Sequence, residues 1–243
     1  MSLLLSRCRT PQQAHVRGRI LNVLPAASFQ MQKLLGLLDI ELSQAIPTAA
    51  IECAGTPRLL LNPDFLSEHC RGDGDLFLLV MHELHHVILG HTRLFPRPTR
   101  LDNIVFDAVI NAMLCRQYHA TAGTGLFTNY YDWGKFPDRL LRPPPGWPSA
   151  GREAALKGLA KKEARIFEAL YYSDGSDITY FDLYRLLLEH CKLVLVTGGG
   201  GGDDFADVPL LGSHGEADDT GNPVVQEILR DIVGGWPPPP WAS

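Results

Sequence analysis

The chain is poor in the features that mark several protein classes. Only five of its 243 residues are cysteine (Cys8, Cys53, Cys70, Cys115 and Cys191). They are odd in number, widely spaced and never in a C-x-x-C. That argues against a disulfide framework or a cysteine zinc site and predicts buried structural thiols. Positive charge is not in excess either. The 22 Lys and Arg against 27 Asp and Glu leave a net charge of −5. No basic patch stands out, so nucleic acid is not an expected partner. Long apolar runs are missing as well. The N-terminal MSLLLSRCR has an apolar run too short for a secretory signal, and no stretch approaches transmembrane length. The expectation is a cytoplasmic protein with no membrane association. No internal repeat of 20–50 residues is visible.

What remains reads as an ordinary globular chain. Apolar residues make up 45% and charged residues 20%, which suits one domain with a real core, or one domain with a tail. The expected class is α+β and mostly helical. Helices are predicted over 11–24 and 28–44, the second from Phe29, Leu34, Leu37, Leu38 and Leu42 at helical intervals after Ser28. Two extended runs, 48–53 and 58–62, flank Ala54-Gly55-Thr56-Pro57 and predict a β-hairpin. It serves either as a plain structural hairpin or as a sheet edge on which a peptide lies as an added strand. Asn62-Pro63-Asp64 turns into a short helix. A long loop is expected over 120–150, rich in Gly, Pro and aromatics. Helices over 152–172 and 177–191 follow, the latter capped by Ser176 or Asp177. The domain is expected to span 1–195. Residues 196–243 then form a Gly/Asp-rich loop and a Pro-rich tail.

The centre of the sequence is Leu76 to His91, LFLLVMHELHHVILGH. It is apolar on nearly every side, so a helix here must be buried on most of its circumference. Its middle nevertheless carries His82, Glu83, His85 and His86. Burying so many titratable groups without partners costs several kcal/mol, and a metal ion is the simplest common partner. His82, Glu83 and His86 spell H-E-x-x-H, in which two imidazoles four apart can grip one Zn²⁺. With about 100° per residue, His86 falls about 40° from His82 and Glu83 about 100° from it. Glu83 is thus placed to act as general base on a metal-activated water without being a ligand. His85 gains no role from this wheel.

A third ligand is required. His91 falls near 180° on an unbroken helix. It could reach the ion only if the chain turned at Gly90, and the metzincin spacing of Gly three and His six residues after the second motif histidine is not kept. Asp107 is the better candidate. It lies on a following helix predicted from Asp102 to about Gln117, at an interval after His86 close to that at which gluzincin-type enzymes supply a glutamate. Asn111 is one turn further along the same face and suits a group that orients a ligand imidazole. Tyr130, Tyr131 and His119 are weaker candidates for holding the oxyanion, with core-covering aromatics as the plainer reading. His214 is a similarly weak candidate. A single G-G-x-G-x-D match at 198–203 cannot stack as calcium-binding repeats do and reads as a loop.

The segments MHELHHVILGHTR, LDNIVFDAVINAML and GLFTNYYDWGKFPDRLLRPPPGWP together resemble a bacterial metallopeptidase domain of largely unassigned function, commonly found N-terminal to a von Willebrand factor A-like domain. The resemblance covers roughly residues 28–195. It implies a zincin-like fold with a small sheet beside the active-site helix, and zinc-dependent peptidase activity with one Zn²⁺. It also implies His82 and His86 as ligands, Glu83 as base and Asp107 as third ligand. The chain ends at Ser243 without room for the A-like domain. The expectation is therefore an isolated peptidase module, or one acting with a separate A-like or ATPase partner. The competing expectation is a non-catalytic, metal-stabilised interaction module that docks through the aromatic stretch 123–147.

Overall fold

The computed structural model describes residues 10–23, 33, 35–52, 56–89, 98–173, 180–197, 210–211, 227 and 231. It is mostly helical, with one small three-stranded sheet. By backbone contacts the chain falls into two compact bodies: 1–97 with 121–126 and 211–242, and 98–120 with 127–210.

The first body opens with α1 (Pro11–Val23). Strands β1 (Asp39–Leu42), β2 (Ala49–Glu52) and β3 (Arg58–Leu61) form a sheet in the order β1-β3-β2. β2 and β3 pair antiparallel as the predicted hairpin, with Ala50 opposite Leu60. β1 adds to the far side of β3 in parallel, with Ile40 opposite Leu59. This corrects the expected helix over 28–44: residues 35–37 are helical, but the chain then becomes a strand. Leu38, Ile40 and Leu42 alternate with Asp39 and Glu41, so the run fits the strand period as well as the helical one. Partnership with β3 decides between them. Arg58 on β3 reaches the carboxylates of Glu41 and Glu52 on its two neighbours, a cross-strand clamp on the exposed face.

Helix α2 (Pro63–His69) starts as predicted. The Asn62 side chain accepts from the backbone N–H of Asp64 and Phe65, and Pro63 occupies the first turn, where its missing N–H costs nothing. Then comes α3 (Asp73–Ile88), with twelve of its sixteen residues buried. Its start is fixed by Asp75, whose carboxylate accepts the Gly72 N–H at 3.0 Å. Arg19 on α1 donates to Asp73 at 2.6 Å, tying α1 to the first turn of α3. α1 and β2 both pack against α3. Gly74 lies so close to Ala122 that a Cβ there would sit 2.4 Å from its carbonyl oxygen.

In the second body α4 (Arg100–Ala122) is the long element. It begins earlier than predicted because Thr99, not Asp102, is the cap. The Thr99 hydroxyl accepts the Asp102 N–H at 3.2 Å, and the Asp102 carboxylate accepts the Thr99 N–H at 2.8 Å. This reciprocal pairing satisfies two otherwise orphaned donors. Tyr184 donates to the same carboxylate at 2.6 Å, and its ring stacks on Phe106.

The stretch expected as a surface loop is partly helical and partly core. α5 (Gly125–Tyr130) and a 3₁₀ turn (Asp138–Leu141) bury Leu126, Phe127, Tyr131, Leu140 and Leu141. Arg142 crosses it, donating to the Thr128 and Tyr131 carbonyls at 2.9 and 2.6 Å. The helix expected over 152–172 is broken into α6 (Arg152–Ala155) and α7 (Lys161–Phe167), the latter running on into a π-helical turn at Glu168–Tyr172. Between α6 and α7 lies Gly158 at φ +87°, a backbone state that helix cannot continue through. α8 (Tyr180–Thr197) closes the body. Its expected caps, Ser176 and Asp177, lie outside the described residues, as does nearly all of the predicted tail.

Cys70, Cys115 and Cys191 are free and buried, as expected of structural thiols, and burial pushes each thiol well above its ordinary range.

Candidate metal centre

Helix α3 carries His82, Glu83, His85 and His86 into the interior, each less than a tenth exposed. Four residues make slightly more than one turn, so His82 and His86 project in nearly the same direction. Their Nε2 atoms face each other at 3.1 Å, with ring planes 67° apart. Asp107 on α4 is fully buried. One ligand atom from each of His82, His86 and Asp107 lies within 4.8 Å of the other two. Two imidazole nitrogens and a carboxylate oxygen form a donor set that could hold a metal ion.

His85, which gains no role from the helical wheel, is explained by its environment. Nδ1 lies 2.6 Å from the Met81 carbonyl, the acceptor exposed by the preceding turn of its own helix. Burial pulls its pKa down to about 4, against the raising effect of that hydrogen bond and with a further lowering from His82. His85 is therefore a neutral core histidine, donating from Nδ1 to the backbone. Glu83 is buried on the same helix, next in sequence to the ligand-position His82.

Asn111 stands one turn beyond Asp107 and is fully buried. Its side-chain amide donates to the Leu141 carbonyl at 2.9 Å, which ties α4 to the 3₁₀ turn. Asn111 thus fixes the helix that carries Asp107. Tyr131 is buried, and its ring meets that of Tyr130 edge-on at 4.9 Å. His119 is exposed, with Nδ1 3.2 Å from the Cys115 carbonyl and its ring against Trp147. It lies twelve residues past Asp107 on one continuous helix, roughly 18 Å along the axis. His82, His86 and Asp107 are thus the residues that could share one ion, and His119 stands about three turns from Asp107 along α4. His91 and His214 lie outside the described residues.

One neighbour of the site carried no signal in the sequence. The backbone carbonyl of Leu211 sits 3.0 Å from His82 Nε2, and the Leu211 side chain is fully buried. Any residue type supplies a backbone carbonyl, so no motif marks it.

The described fold is thus an α+β framework that gathers a buried His-His-Asp group. No family model matches the chain, and neither a curated protein nor a solved structure matches it significantly.

Proposed function

We propose that the protein is a zinc-dependent metallopeptidase of zincin-like type, with His82, His86 and Asp107 as ligands and Glu83 as general base. The observation that carries this reading is the pair of Nε2 atoms 3.1 Å apart on a buried helix, grouped with a buried carboxylate. A tetrahedral zinc ion with bonds of roughly 2.0–2.1 Å sets neighbouring nitrogens about 3.3 Å apart, close to the spacing found. Nitrogen and carboxylate ligands without thiolate also suit zinc in its catalytic rather than its structural role. The resemblance of α3, α4 and the following stretch to the bacterial metallopeptidase domain points the same way.

When bound, the ion supplies Lewis acidity, which makes a water nucleophilic near neutral pH and polarises a carbonyl. The chain supplies the rest. His82 and His86 give Nε2 lone pairs, and Asp107 gives negative charge that offsets the cation in a dry site. Glu83 takes a proton at a carboxylate oxygen as the water attacks and delivers it to the departing amine. Asn111 holds the Asp107 helix in register through Leu141. β2, an edge of the described sheet that packs on α3, offers backbone groups to an extended peptide.

The competing docking-module reading draws less support. Tyr131 is buried, the Trp133 ring lies against Phe167, and the Trp147 indole N–H donates to the Tyr171 carbonyl. These aromatic residues of 123–147 serve the interior of their own body.

The test is Glu83→Gln in the metal-loaded protein, assayed on a library of unstructured peptides. The metal content stays at the wild-type value, and hydrolysis falls on the order of 10²–10⁴-fold, the usual worth of a general base. Undiminished hydrolysis in this variant rules the mechanism out.

A further inference from the structure

The geometry points to Leu211 as an internal occupant of the metal centre: its backbone carbonyl takes the coordination position that a substrate carbonyl takes, so the resting site is closed by the protein's own chain. The inference rests on the metal reading of His82, His86 and Asp107 and concerns what fills the position those three ligands leave open.

Two observations carry it. First, the Leu211 carbonyl oxygen lies 3.0 Å from His82 Nε2, on the same nitrogen that faces His86 Nε2 at 3.1 Å. That nitrogen cannot donate a proton to the carbonyl and also give its lone pair to a metal. Once the ion is bound, the carbonyl faces a nitrogen with no proton, and the hydrogen bond is gone. The carbonyl then needs another partner, and the cation that removed its donor is one. An oxygen 3.0 Å from one ligand atom already has the spacing of two ligands on a single ion. Carbonyl oxygen is a competent though weak neutral ligand for such an ion, and hence a displaceable one.

Second, Leu211 is fully buried. An apolar side chain held out of water anchors its own carbonyl, so departure requires re-exposing the leucine. The arrangement copies what a bound peptide would present, an aliphatic side chain in an apolar place and its carbonyl at the ion. The corresponding substrate class is a peptide with a leucine-like residue on the carbonyl side of the cleaved bond.

The experiment compares full-length wild type, Leu211→Asp and Leu211→Met, each loaded with Co²⁺. Acetohydroxamate binding is read from the visible cobalt bands, and folding from circular dichroism. Acetohydroxamate competes with the carbonyl for the ion. We expect Leu211→Asp to bind it at least tenfold tighter than wild type, and Leu211→Met to match wild type. Equal affinity in wild type and Leu211→Asp, with one ion in each, overturns the inference. Should Leu211→Asp fail to fold, Leu211→Ala takes its place, with the same tenfold criterion.

No hydrolysis enters this measurement. If acetohydroxamate binding shifts as expected while no variant cleaves peptide, Leu211 closes a non-catalytic centre and the peptidase reading alone fails. If cleavage depends on Glu83 and binding is indifferent to Leu211, this inference alone fails.

Discussion

Replacing Gly74 with alanine sets two effects of known size against each other. Gly74 lies in the first turn of α3, where alanine is worth about 1 kcal/mol over glycine by helix propensity alone. A Cβ built there, however, meets the Ala122 carbonyl oxygen at 2.4 Å and the Ala122 carbonyl carbon and Cα at 3.1 Å each. All three are backbone atoms at the end of α4, so no side chain can swing away. Relief requires the start of α3 and the end of α4 to part by close to 1 Å. Insertion of a methyl into such a contact costs about 1–3 kcal/mol, occasionally more. With only backbone atoms to give way, the cost lies in the upper part of that range, about 2–3 kcal/mol, and after the propensity gain of about 1 kcal/mol the net loss is about 1–2 kcal/mol. For a chain of this size, each kcal/mol moves Tm by roughly 2–4 °C. Gly74→Ala should therefore melt about 2–8 °C below wild type by circular dichroism in the presence of chelator. A variant that melts at or above the wild-type temperature would show that the two helices do not approach as described.

Thr99→Ala removes the hydroxyl that accepts the Asp102 N–H, and chemical denaturation should show a loss of about 1 kcal/mol. His85 is neutral when folded, with its pKa held down to about 4, and titrates near 6.5 when unfolded. The unfolded chain binds the extra proton between those values, so this contribution is intact above about pH 6.5 and drains away as pH falls toward 4. At roughly 1.4 kcal/mol per pH unit it amounts to roughly 3 kcal/mol. Denaturant midpoints of the metal-free protein measured from pH 7 to 4 should fall more steeply for wild type than for His85→Gln. Equal slopes would place the histidine in water.

The sequence was most legible where one pattern admitted one structure. Asn62-Pro63 and the apolar run from Leu76 allow little besides a helix start and a buried helix, and both are found. The hairpin follows from two β-rich runs separated by Ala54-Gly55-Thr56-Pro57. Leu37 to Leu42 satisfied two periods at once, and only the pairing of β1 with β3, sixteen or more residues away, chose the strand. The aromatic stretch after Ala122 misled because Gly and Pro mark irregular backbone without saying whether it is buried. Leu126, Phe127 and Leu140 show that it is. In the site, His82 and His86 of H-E-x-x-H and Asp107 of the following helix are side chains that one ion could share. Thr99-x-x-Asp102 was a readable capping box that a reading centred on Asp102 passed over. Leu211 could not be read at all, since its part is played by a main-chain oxygen.

Whether His82, His86 and Asp107 hold one ion is read from metal content by inductively coupled plasma mass spectrometry on purified wild type, Asp107→Ala and His91→Ala. We expect one ion per chain in wild type and in His91→Ala, and its loss from Asp107→Ala. Retention by Asp107→Ala with loss from His91→Ala, or a wild type that carries no metal after incubation with zinc, would contradict it.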